Sequence, residues 1–212
     1  DFESFYTFAS KAKTSLTTAL PTRQCLYYAF LFRCLEQVAD IIQQYEKCNP
    51  VAGVIVEPIQ SEGGDYEASP HFFQGLQRVC KENGAALIID EVQTGCGPTG
   101  KMWCHEYFDL PSPPDVVTAP HQYRIFNTWM GDPGKLVLLE RVLKVIKQDN
   151  LIELVNKTGK VLKDGLHCLE HEFPSLIDSV RGRGTFLSYN AATTELRDKI
   201  SGMTVRFVCG QL

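Results

Sequence analysis

The sequence lacks the features that would mark a membrane, secreted or nucleic-acid-binding protein. Its apolar run at Ala29 to Phe32, beside Tyr27 and Tyr28, stops at Arg33, far short of a bilayer span, so no membrane association is expected. There is no basic excess: 21 Lys and Arg face 25 Asp and Glu, a formal net charge of -4. Such a surface sets up no field for a polyanion, and nucleic acid is not expected as a partner. None of the eight cysteines belongs to a CxxC or a paired knuckle, which is the usage of a reduced compartment. Cys96, Cys104 and His105 come nearest to a zinc set, but their spacing suits loop and core roles, and no metal is expected. No GxGxxG follows a strand, which argues against a dinucleotide fold; glycines 63, 64, 95, 97 and 100 are loop glycines. No secretory or transit pattern is recognisable from Asp1 onward.

What is present is a chain of 212 residues, 44% apolar, enough for a substantial core. Residues 1–20 show no sustained period before Pro21. The spacing then predicts a helix from about Thr22 to Tyr45, with Leu35, Val38, Ile41, Ile42 and Tyr45 inward. Residues 51–56 and 85–89 are continuous apolar runs bounded by turn signals, the pattern of parallel strands buried on both faces. Between them Ser69 as cap, Pro70 at the first position and Gly84 as stop frame a helix whose stripe is Phe72, Phe73, Leu76, Val79 and Cys80. The expected class is α/β, a mostly parallel sheet with flanking helices. Residues 113–118 read as a short third strand. Asp132 and Pro133 open a helix with Leu136, Leu139, Val142, Leu143 and Ile146 inward. A further helix runs from Leu151 to about His171, with Leu154, Val155, Val161, Leu162, Leu166 and Leu169 inward. Residues 178–190 read as a strand through a glycine-pinned bend, and 204–208 as another strand.

Asp90 is the leading chemical candidate. It stands immediately beyond AALII, at the carboxyl end of a central strand, where open α/β sheets bind their ligands. The alternatives for it are a helix cap or a loop salt bridge. Glu91 is left open as a surface or structural acid. Glu57 and Glu62 follow the preceding strand in VEPIQSEGGD, with a plain loop position as their alternative.

The strings VAGVIVEPIQSEGGD, AALIIDEVQTGCGPTG and YRIFNTWMGDP resemble the class III pyridoxal-phosphate-dependent aminotransferases of fold type I, and within them the mitochondrial branch acting on 4-aminobutyrate. The resemblance covers residues 35–118 and 123–190. It implies a partial large, cofactor-binding domain over residues 1–150 and a remnant of the small α+β domain over 151–212. By the resemblance, Asp90 pairs with the pyridine nitrogen of pyridoxal 5'-phosphate and keeps it protonated, so the ring can take up electrons. Val92 presses on the ring face, and Gln93 hydrogen-bonds the ring hydroxyl without adding charge. Thr128 reaches a phosphate oxygen of the partner subunit's cofactor, which implies a homodimer. Glu57 pairs with Arg206 when the amine donor has no α-carboxylate, and yields that arginine to 2-oxoglutarate; Glu62 lies near the substrate. Arg181 and Arg183 are structural. The implied substrates are 4-aminobutyrate and 2-oxoglutarate, and the implied compartment is the mitochondrial matrix.

Against that pattern the chain is short of one essential group. The chemistry needs a lysine to hold the cofactor and move a proton. The family carries it soon after the strand at residues 115–118, but here the text passes from DVVTAP almost directly to YRIF, and no lysine occurs between Lys101 and Lys135. The amino-terminal half of the family is missing as well. No catalytic residue is therefore assigned, and this chain is expected to be truncated and internally deleted.

Overall fold

The computed structural model describes residues 23–60, 65–118 and 132–200. The expectations for residues 1–20 and 204–208 lie outside these. In chain order the elements are α1 (Arg23–Tyr45), β1 (Gly53–Val56), β2 (Ile59–Gln60), β3 (Tyr66–Glu67), α2 (Pro70–Glu82), β4 (Ala86–Asp90), a 3-10 turn (Cys104–Tyr107), β5 (Val116–Thr118), α3 (Pro133–Gln148), α4 (Leu151–Glu172), β6 (Ile177–Arg183) and β7 (Phe186–Ala191). They fall into two compact units. The first comprises Asp1–Pro58, Ala68–Asp90 and His105–Thr118; the second comprises Ile59–Glu67, Glu91–Cys104 and Ala119–Leu212.

The first unit is built on a three-stranded sheet ordered β1, β4, β5, with both pairings parallel. The register sets Val56 beside Ile89 and Asp90 beside Thr118. Helix α2 lies against β4 and buries Phe73, Leu76 and Cys80, each apolar side chain worth about 1.5–3 kcal/mol on burial. Phe73 stacks flat on Phe108, with centroids 3.8 Å apart. Pro70 starts this helix as expected, and Gly84 ends it with φ +68, a left-handed conformation that glycine adopts at least cost. Ser69 holds the cap position, but its hydroxyl makes no capping bond.

Two expectations for this unit change. The strands are not closed on both faces. Leu87 and Ile89 are fully buried, whereas Ile55 and Val116, which share a row with Ile88, are 61% and 46% exposed. Side chains alternate across a strand, and α2 covers one side only of this alternation. The buried stripe of α1 runs through Leu31, Leu35 and Ile42, leaving Ile41 and Tyr45 in water. Steps of four and seven keep one face, and Ile41 lies a third of a turn off it.

The second unit holds the antiparallel pairs β2 with β3 and β6 with β7, together with α3 and α4. Residues 178–190 form a hairpin rather than one bent strand, because Gly184 takes φ +55 at the turn and Gly182 takes φ +112 within β6. A Cβ on Gly184 would lie 2.5 Å from the carbonyl oxygen of Pro98, and one on Gly159 of α4 would run into Gly184 itself. Helix α4 and the loop 91–104 therefore meet the hairpin backbone to backbone. Asn156 secures the loop by donating to Gly100 O at 2.9 Å, and Lys163 donates to Gly182 O at 2.9 Å.

Asp132 caps α3 as expected, accepting from Gly134 N at 2.9 Å. The inward face expected of α3 is not realised: the helix has no buried residue. On α4, Val161 is 73% exposed and Leu154, Leu162 and Leu169 also face water. Period fixes which residues share a face, but burial requires a second surface; the described residues half-cover Ile146 of α3 and Val155 and Leu166 of α4 and leave the others of these stripes exposed.

Burial pushes up the thiols of Cys80, Cys96 and Cys104, the last two also under the influence of Glu91. Cys80 is pushed up to about 11, first by desolvation and then by Asp115. Cys104 is pushed up to about 12, first by desolvation and then by Glu91. A raised folded value means the stabilising neutral thiol is fully retained below the unfolded value of 9.0 and lost as pH rises through 11 and 12. Alkylation at pH 8 is expected to label Cys48 and Cys168 within minutes and to reach Cys80 and Cys104 only after denaturant is added. Mass mapping of the labelled peptides checks this, and early labelling of Cys80 would contradict the packing of α2.

Candidate functional site

Strand β4 ends at Asp90, and its side chain is tied across the sheet edge. Thr118, the last residue of β5 and the register partner of Asp90, donates its hydroxyl to Asp90 Oδ1 at 2.6 Å. The bond spans 28 positions of sequence and exists because parallel pairing brings both strand ends level. Glu57 follows Val56, the partner of Ile89, so it leaves the same carboxyl edge one strand over, and its side chain is exposed. The first unit thus presents two carboxylates on one edge, one anchored and one in solvent.

Glu91, the next residue, is entirely buried, which settles it as structural rather than a surface acid. Its Oε2 accepts the Thr94 hydroxyl at 2.5 Å and the Cys104 backbone N–H at 3.0 Å. The loop between is cross-tied further. Gly95 N donates to Glu91 O at 2.8 Å, Cys96 N to Met102 O at 2.9 Å, and a Cβ on Gly95 would meet the Trp103 ring at 2.8 Å. A buried carboxylate with a hydroxyl and an amide as donors acts as the hub of residues 91–104. Its i, i+3 spacing to Thr94 was the one signal in the sequence that pointed to this role. Val92 and Gln93 are carried by this loop in the second unit, and both are exposed, Val92 by 41%.

The remaining candidates, Glu62, Thr128 and Arg206, lie outside the described residues. Arg181 donates to Asp65 O at 2.9 Å, Ser179 O at 2.8 Å and Asn190 Oδ1 at 3.0 Å, and Arg183 pairs with Glu67 at 3.6 Å. A cleft of about 1020 Å³ in the second unit is lined by Asp65, Tyr66, Asp178, Arg181, Tyr189 and Arg197 among others, and holds none of the residues proposed from sequence. Neither flanking lysine ends a strand: Lys101 sits within the loop and Lys135 is exposed on the first turn of α3.

A sequence profile of the aminotransferase class-III family matches residues 1–123 and 118–205. The chain belongs to the class-III aminotransferases. It is 46% identical over 185 residues to the 4-aminobutyrate aminotransferase of Dictyostelium discoideum and 45% identical over 186 residues to the mitochondrial 4-aminobutyrate aminotransferase of Homo sapiens. Each alignment takes in 79% of this chain but 37% of the relative, so the chain spans well under half the length of the curated relatives it matches. Among solved structures, the lysine aminotransferase of M. tuberculosis superposes with a TM-score of 0.74 at 30% identity, covering 86% of this chain and 46% of that one. The ornithine aminotransferase of Plasmodium yoelii gives 0.63 at 25%, covering 74% and 46%. The α/β architecture with a parallel sheet and flanking helices is that of the family's large domain.

Tested against the ring of the family's cofactor, the first unit fits: a carboxylate at a strand end, fixed by a hydroxyl, suits a protonated ring nitrogen. Tested against covalent attachment, it does not fit, because no lysine follows β5 before Lys135.

Replacing Glu91 with alanine is expected to destabilise the protein by about 2–4 kcal/mol, since it strands the Thr94 hydroxyl and the Cys104 N–H in the interior. Urea denaturation measures the loss, and a change below about 0.5 kcal/mol would show that the loop does not depend on this carboxylate.

Proposed function

We propose that this chain is the ring-binding part of a pyridoxal-phosphate-dependent aminotransferase of the 4-aminobutyrate type, and that in this form it does not turn over by itself. The observation that carries the reading is Asp90, tied by Thr118 at the carboxyl edge of a parallel sheet, in a chain with no lysine between Lys101 and Lys135. The identity to 4-aminobutyrate aminotransferases supports the substrate class, 4-aminobutyrate as amine donor and 2-oxoglutarate as acceptor. The names of several relatives support a mitochondrial setting, and no helix among the described residues is long and apolar enough to cross a membrane.

Pyridoxal phosphate, when bound, supplies an electron sink for the bond broken at the amine-bearing carbon. Within that chemistry Asp90 would hold a proton on the ring nitrogen, Val92 would flank the ring, and Gln93 would donate to its hydroxyl. Glu57 would cover the arginine at 206 in the amine-donor half-reaction and release it to the second substrate's carboxylate. Glu62 would lie beside the substrate and Thr128 would reach the phosphate of a partner subunit in a homodimer. Residues 1–150 would form the cofactor-binding part and 151–212 a portion of the small domain.

A second reading has its own support. The family match breaks into two segments that meet at residues 118–123, where the lysine would be carried, and Lys101 and Lys135 do not replace it. A chain of that kind acts as an inactive relative that associates with another subunit. The test mixes the purified chain with pyridoxal phosphate, reduces with borohydride and assays semialdehyde formation from 4-aminobutyrate. The expected outcome is diffuse or absent labelling and no semialdehyde. Stoichiometric labelling at Lys101 or Lys135 with turnover would overturn the inactive assignment.

A further inference from the structure

We infer that Thr118 is a positioning residue for Asp90, fixing the orientation in which that carboxylate meets the ring nitrogen of the cofactor. The inference rests on the ring-binding reading above and deepens it, since neither the sequence patterns nor the comparisons assign Thr118 any role.

The geometry is specific. Asp90 and Thr118 are register partners at the ends of adjacent parallel strands, so their side chains leave the same face of the sheet. The hydroxyl reaches Oδ1 at 2.6 Å, the length of a hydrogen bond to a charged acceptor. An aspartate at a strand end otherwise turns about two side-chain bonds, and the second of these has a broad, shallow profile. A donor on a neighbouring strand restricts both. Thr118 is itself stiff, because its branched Cβ restricts the first side-chain torsion and its backbone is held in the β5 ladder. Asp90 is thereby oriented before any ligand arrives, which reduces the ordering cost of binding.

A positioning role and a purely electrostatic one differ in sign. A hydroxyl that donates to a carboxylate draws off charge, so if that were its only effect, removing it would make Asp90 a stronger partner for a ring N–H. If Thr118 positions Asp90, removing it weakens that partnership.

The probe is 4'-deoxypyridoxine 5'-phosphate labelled with nitrogen-15 in the ring, which has no aldehyde and so does not depend on a lysine. Its affinity and the pH at which its ring nitrogen loses a proton are followed by titration and nitrogen-15 NMR for the whole chain and for the variants Asp90→Asn, Thr118→Val, Thr118→Ala and Thr118→Ser. The expected result is that Thr118→Val and Thr118→Ala each weaken binding by about 3- to 10-fold and lower the deprotonation pH by about half to one unit, while Thr118→Ser stays near wild type. The serine and alanine variants share the loss of the methyl group, so their difference isolates the hydroxyl even if the valine variant folds poorly. Asp90→Asn tests the reading beneath. If the wild type fails to bind, or Asp90→Asn titrates like wild type, the ring-binding reading falls and this inference with it. If Asp90→Asn loses the protonated nitrogen while Thr118→Val and Thr118→Ala match or exceed wild-type affinity, the positioning role alone is overturned.

Discussion

The parallel register of three short strands is the constraint from which the candidate site follows. Because β4 runs between β1 and β5 in step, its last residue comes level with Thr118, while Glu57 leaves the same edge beside it. A slip of one residue would turn Asp90 to the opposite face and break its hydrogen bond to Thr118. The close fit of the strands holds this register. A Cβ on Gly53 would lie 3.1 Å from the carbonyl oxygen of Ala86, a tight contact that leaves little room for a side chain between β1 and β4. Helix α2 then fixes the sheet from one side through Phe73, Leu76 and Cys80.

Two adjacent acids show how strongly surroundings divide similar chemistry. Asp90 stays half-exposed and accepts the Thr118 hydroxyl at the sheet edge. Glu91 is sealed in and spends its carboxylate on Thr94 and Cys104, organising the loop that carries Val92 and Gln93. A buried carboxylate without such donors would be strongly unfavourable, so the loop's conformation and the burial of Glu91 require each other. Gly184 and Gly159 extend the same loop's support into the hairpin and α4, where only hydrogen atoms fit between backbones.

Much of this architecture was legible from local pattern. Continuous runs of Val, Ile and Leu bounded by turns marked β1 and β4, Pro70 and Gly84 bracketed α2, and Asp132 with Pro133 opened α3. The hairpin at Gly184 was half-visible, as a bend whose strands were not separated. Local pattern does not report what lies on the far side of an element. For that reason the open face at Ile55 and Val116 and the uncovered stripes of α3 and α4 went against expectation. Thr118 escaped for a related reason: its bond to Asp90 depends on which strands pair, across 28 positions, and no local spacing encodes it. Asp90, Val92 and Gln93 stood out through family resemblance, whereas the role of Glu91 was signalled only by its i, i+3 spacing to Thr94.

The central proposal is that Asp90 receives the ring of a pyridoxal-phosphate-type ligand in a chain with no lysine between Lys101 and Lys135. The most direct test is a crystal structure of the chain with pyridoxamine 5'-phosphate, which binds without forming a bond to an amine. The account predicts the ring nitrogen about 3 Å from an Asp90 carboxylate oxygen, with the Thr118 hydrogen bond retained. A ring seated elsewhere, such as in the cleft lined by Asp65, Arg181 and Arg197, with Asp90 untouched, would contradict it.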